Sequence, residues 1–140
     1  MTTRVTGGCL CGAVRFECGE APIATRACWC RDCQYLAAGN ATVNAIFRSA
    51  TFRATGEVRD HVSRADSGTV MRRAFCTACG TPLFSRSESR PGLVVIRVGA
   101  LDEPARYRPE GFIWTASAPP WGLLDETLPN CAGQPAPLPS

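Results

Sequence analysis

Nine cysteines in 140 residues constrain this chain more than any other feature. Seven of them fall into three short runs: Gly8-Cys9-Leu10-Cys11-Gly12, Cys28-Trp29-Cys30-Arg31-Asp32-Cys33 and Cys76-Thr77-Ala78-Cys79-Gly80, with Cys18 and Cys131 standing apart. The count is odd, and the opening segment from Met1 to Gly8 lacks the basic-then-apolar layout of a secretory signal. The expectation is a cytoplasmic chain. Thiols stay reduced there, so metal ligation or thiol chemistry accounts for the cysteines better than structural disulfides do.

Spacing suggests how the ligands divide. A C-x-x-C-G turn converges two thiolates on one metal, and its glycine takes the backbone conformation that the turn needs. A C-x-C pair on extended backbone points both side chains the same way. Cys9, Cys11, Cys76 and Cys79 together make a closed four-sulfur set of the structural zinc kind, with 64 residues between Cys11 and Cys76. Cys28, Cys30 and Cys33 ring a second metal with three ligands, which leaves an open position suited to chemistry. Spacing alone leaves other pairings open. Cys30–Cys33 or Cys76–Cys79 also reads as a redox pair, although neither sits in a βαβ context. The lone histidine, His61, is a candidate fourth ligand for the second cluster. Cys18 reads as a buried strand residue and Cys131 as a free thiol.

The rest of the chain reads as one small β-rich domain over residues 1–128, followed by a loose Pro-rich tail over residues 129–140. Alternation predicts a strand over Ala13 to Cys18; Thr42 to Phe47, Thr51 to Thr55, Val58 to Ser63, Thr69 to Phe75, the most apolar run Leu93 to Val98, and Phe112 to Thr115 are further strand candidates between closely spaced turn residues. Arg31 to Ala38 is the one short helix, ended by Gly39-Asn40. All 15 basic residues are arginine, as in a GC-rich bacterial genome, and the net charge of +3 is too small and scattered for a nucleic-acid footprint. No apolar run reaches the roughly 20 residues that cross a bilayer, so no membrane is expected.

The three cysteine runs resemble the glutathione-dependent formaldehyde-activating enzyme family, whose domain also occurs in centromere protein V. The likeness is carried by Gly7 to Phe16, by Cys28 to Cys33, by Phe75 to Leu83, and by the closing segment Phe112 to Trp121. It implies small antiparallel sheets of the Mss4-like or β-tent type holding two zinc ions. It assigns Cys9, Cys11, Cys76 and Cys79 to a structural zinc and Cys28, Cys30 and Cys33 to a catalytic one. The activity implied is that of a carbon–sulfur lyase on a small thiol adduct such as S-hydroxymethylglutathione, with glutathione as co-substrate. The family commonly carries histidine where this chain has Trp29. Arg31 or Arg72-Arg73 are candidate partners for glutathione carboxylates, and Trp29 and Trp114 candidate pocket walls. Two other readings compete: a zinc-stabilised interaction module without catalysis, and an enzyme acting on a different thiol adduct.

Overall fold

The computed structural model describes residues 3–139. Among them run, in chain order, β1 (Val5–Gly8), β2 (Arg15–Cys18), β3 (Ala24–Cys28), α1 (Arg31–Leu36), β4 (Thr42–Arg48), β5 (Arg53–Thr55), β6 (Val58–Arg64), β7 (Val70–Cys76), β8 (Pro82–Ser87), β9 (Leu93–Arg97) and β10 (Phe112–Ile113). They form a three-stranded sheet ordered β1-β2-β5 and a seven-stranded sheet ordered β10-β3-β4-β9-β8-β7-β6. Neighbours are antiparallel except β10, which adds to β3 in parallel. The chain is thus mainly β, with small antiparallel sheets and one short helix among the described residues, as the sequence suggests.

Period-two alternation divides the large sheet into two faces. Ala45 and Phe47 on β4, Val94 and Ile96 on β9, Phe84 on β8 and Ala74 on β7 point into the main core. They meet Val5, Phe16 and Cys18 of the small sheet there, and Val14 just before β2. Phe52 and Phe84 cross edge-on at 4.8 Å between ring centroids, a favourable aromatic arrangement. Residues in the opposite phase, such as Arg26, Asn44, Val95, Arg97, Ser85 and Arg73, line a cavity on the other face.

Several elements depart from expectation. β1, β3 and β8 carry weak local signals: Gly-Gly in β1, Ala-Thr-Arg-Ala-Cys in β3, and Pro82 at the head of β8. Tertiary pairing makes strands of them. The helix stops at Leu36 because Ala38 and Gly39 turn left-handed, with φ of 56° and 101°. The strand expected through Thr115 ends at Ile113, since Trp114 is also left-handed. The Pro-rich segment does not run loose. The Phe112 N–H donates to the Pro129 carbonyl, and the Cys131 N–H donates back to Phe112. Trp114 then bonds Gly133 through its backbone and Gln134 through its indole. Its composition denies it a core of its own, but an open strand edge satisfies its backbone instead.

Candidate metal centres

Cys9 and Cys11 stand in the turn between β1 and β2, while Cys76 closes β7 and Cys79 follows it. The four sulfurs lie within 4.8 Å of one another, with Cys9 to Cys11 at 3.5 Å and Cys11 to Cys76 at 3.8 Å. A disulfide needs about 2.05 Å. Tetrahedral zinc with bonds of about 2.3 Å separates its sulfurs by about 3.8 Å. The spacing therefore fits a four-thiolate metal and excludes a bond between the sulfurs. All nine cysteines, each among the described residues, are free.

Backbone amides converge on these sulfurs. The Val14 N–H donates to Cys9 Sγ at 3.2 Å, and the N–H groups of Ala78 and Cys79 donate to Cys76 Sγ at 3.3 and 3.5 Å. Gly12 and Gly80 take φ of 83° and 76° to close the two turns. Such donors favour thiolate over thiol. The Thr81 hydroxyl and N–H hold Cys79 down at about 5. Burial opposes ionisation of Cys9, but the Val14 amide and the neighbouring thiols of Cys11 and Cys76 outweigh it and lower its pKa.

Cys28, Cys30 and Cys33 form the second group, also within 4.8 Å of one another and all buried. Cys28 ends β3, Cys30 caps α1 and accepts the Cys33 N–H on its sulfur, and Cys33 lies in the first turn. Gln34 fixes this corner by donating from Nε2 to the carbonyls of Trp29 at 2.8 Å and Ser117 at 3.0 Å. One thiol of the three ionises readily: contacts from Cys28 and Cys30 push Cys33 down to about 2. Cys28 moves far upward, because it donates to Cys30 and Cys33 and is buried. For Cys30 the contact with Cys28 favours the thiolate, but Cys33 and burial prevail and push it up to about 11. No fourth cysteine, histidine or carboxylate joins this group among the described residues.

The second cluster opens on a cavity of about 330 Å³, whereas none of the four cysteines of the first cluster lines it. Four arginines line the cavity, Arg26, Arg73, Arg90 and Arg97, against one carboxylate, Asp66. Arg26, Asn44 and Arg97 sit in register across β3, β4 and β9. Val95, Ser85 and Arg73 form part of the next row. Arg97 donates to Asn44 Oδ1. Arg73 reaches Ser63 Oγ at 2.8 Å and Asp32 at 3.6 Å. Burial lowers the pKa of both Arg26 and Arg97, although a guanidinium stays charged near neutrality.

Not all candidates arrive at this site. Arg73 and Trp114 line the cavity, but Arg31 stacks over Tyr35 and Arg72 pairs with Glu88 on the surface. Trp29 turns from the cavity into the interior at 1% exposure, edge-on to Trp121. His61 lies exposed on β6 and joins neither cluster. Cys18 is buried in the main core, and burial pushes it up to about 12. Cys131 runs beside β10. Sequence reasoning missed Arg26 and Arg97. Alternation carries the signal for both, since Arg26 is in phase with Cys28, and Arg97 with Leu93 and Val95.

No curated protein matches the chain. Among solved structures, the crystal structure of a Rhodobacter sphaeroides protein is similar, at 24% identity over 69% of this chain and 87% of that one, with a TM-score of 0.54. That likeness concerns the fold. The sequence itself matches a described family, glutathione-dependent formaldehyde-activating enzyme, over residues 4–117. This span takes in both cysteine clusters and all ten strands. The chain belongs to the glutathione-dependent formaldehyde-activating enzyme family.

Proposed function

We propose that this chain is a zinc-dependent enzyme of the carbon–sulfur lyase type, acting on an adduct of glutathione or another small thiol such as S-hydroxymethylglutathione. Cys9, Cys11, Cys76 and Cys79 hold a structural zinc, and Cys28, Cys30 and Cys33 hold a catalytic one. The observation that carries this reading is the difference in access: the three-cysteine cluster faces the cavity and the four-cysteine cluster does not.

A zinc held by three thiolates supplies a weakly Lewis-acidic open position that suits a thiolate or a hemithioacetal oxygen better than it suits water activation. The protein's own groups shape the rest. Gln34 anchors the start of α1, which keeps Cys30 and Cys33 in place without an exposed loop. Ile113 and Trp114 pack against the cluster and exclude water on that side. The arginines opposite favour an anionic substrate. Trp29 points away from the cavity, so its replacement of the family's histidine leaves the ligand set intact.

An interaction module would have no use for a cavity lined by charged and reactive side chains, which favours the enzyme. No described helix is long and apolar enough to cross a membrane. The test is ligand exchange on protein whose second site carries cobalt. Glutathione is expected to shift the thiolate-to-cobalt spectrum, and the zinc protein is expected to turn over S-hydroxymethylglutathione. An unchanged spectrum together with no turnover removes the reading. Turnover of another thiol adduct alone narrows it to a different substrate.

A further inference from the structure

The cavity holds more positive charge than the metal ligands explain. Three thiolates on a doubly charged zinc leave a single negative charge, and Asp66 and the Asp32 carboxylate beside Arg73 add two more, against four arginines around the wall. Arg26 and Arg97 belong to none of the ion pairs found among the described residues. Arg97 meets a neutral partner, the Asn44 carbonyl oxygen. Arg73 is 8% exposed, and its Nε is buried with no hydrogen-bond partner. A donor left unsatisfied in this way is destabilising, more so when charged, unless a ligand accepts from it.

The register places these groups together. Arg26, Asn44 and Arg97 make one row across the cavity floor, with Cys28 two residues beyond Arg26 on the same face of β3. Arg73 enters from the adjoining row, opposite Ser85. Several guanidinium groups around one space repel each other when it is empty, and a planar oxyanion between them relieves this while accepting paired N–H bonds.

We propose that Arg26, Arg73 and Arg97 form an oxyanion subsite beside the three-cysteine cluster, which takes the carboxylate of a small thiol whose sulfur faces Cys28, Cys30 and Cys33. The seating of the sulfur rests on the function proposed above, whereas the carboxylate preference is read without turnover. The subsite selects mercapto-carboxylic acids over neutral thiols of the same shape.

The experiment compares 3-mercaptopropionate with its methyl ester by calorimetric titration of the full, zinc-loaded chain under reducing conditions. The acid is expected to bind about tenfold or more tightly than the ester, the range that charge-assisted hydrogen bonds supply. In Arg97→Gln and Arg73→Gln the ratio should fall toward one. Arg73→Lys should keep part of the preference, because it keeps the charge and loses the fork. Acid and ester binding within twofold in the wild type overturns the subsite, whatever the variants do. A preference that survives in folded Arg97→Gln overturns it as well. Failure of S-hydroxymethylglutathione turnover with the acid preference intact removes the proposed reaction and leaves the subsite standing; turnover without the preference does the reverse.

Discussion

The two cysteine clusters use the same ligand atom in different surroundings. Cys9 and Cys76 belong to the main hydrophobic core, with Cys79 packed against it. Cys28, Cys30 and Cys33 make a separate small cluster that touches only Ile113 and Trp114 among partly buried apolar neighbours. The first joins the two sheets through turns built on left-handed glycines and amide donors to sulfur. The second hangs on the end of one strand and a six-residue helix, over a cavity. A metal-capable cluster embedded in the core is placed to fasten; one at a cavity wall leaves a side open to a ligand.

The sharpest way to break this contrast is to remove one sulfur from each side. A four-thiolate zinc contributes on the order of 10–16 kcal/mol of apparent binding free energy, which exceeds the stability of most domains. Cys79→Ser is expected to abolish cooperative thermal unfolding. Cys30→Ser should leave a folded chain holding one zinc where the wild type holds two, as counted by metal analysis. Equal unfolding of both variants dissolves the distinction.

Acid provides a gentler test. Ligands must lose their protons to bind zinc. Each cluster contains thiols raised above the ordinary value, Cys28 and Cys30 in one and Cys11, at about 11, in the other, so both recapture protons as the pH falls. Cys79, lowered to about 5, keeps its thiolate until the pH nears that value, and Cys9 is lowered too. A zinc indicator followed during acidification should report release from the three-cysteine site at higher pH than from the four-cysteine site, because three protein ligands hold a metal less firmly than four. Simultaneous release contradicts this order.

Smaller effects probe the scaffold. Gly80→Ala meets no atom within 4 Å but must hold φ at 76°, so a loss of about 1–2 kcal/mol by denaturant titration is expected from backbone strain alone. His61→Ala should change stability by less than about 0.5 kcal/mol and leave the zinc content unaltered, since His61 is exposed and outside both clusters. A drop in zinc content would reinstate it as a ligand.

Chemistry was more legible in the sequence than architecture. Short cysteine spacings are local, so the three runs could be recognised without knowing the fold, and the alternating run from Ala13 to Cys18 could be placed, as could the apolar run from Leu93. The course of β3 and β8 depends on partners far along the chain that their own residues do not announce. The arginine cavity was illegible for the same reason. Arg26, Arg73 and Arg97 come from three strands, and only the register of the sheet makes neighbours of them. The segment after Leu128 was misjudged from composition, because the edge that receives it is invisible in composition.

The order of the large sheet also carries a consequence for how the chain acquires its shape during synthesis. β9 lies between β4 and β8, and so joins the first half of the sheet to the second. Until it leaves the ribosome, β4 and β8 each have an unpaired edge, whereas Cys76 and Cys79, which precede it in the chain, can already meet the Cys9–Cys11 turn. Pairings this distant put folding in the millisecond-to-second range of non-local β proteins. The nascent chain meanwhile holds open strand edges and free thiols together, so, on the zinc reading proposed above, an early supply of the metal is expected to guard it against mispaired strands and unwanted oxidation alike.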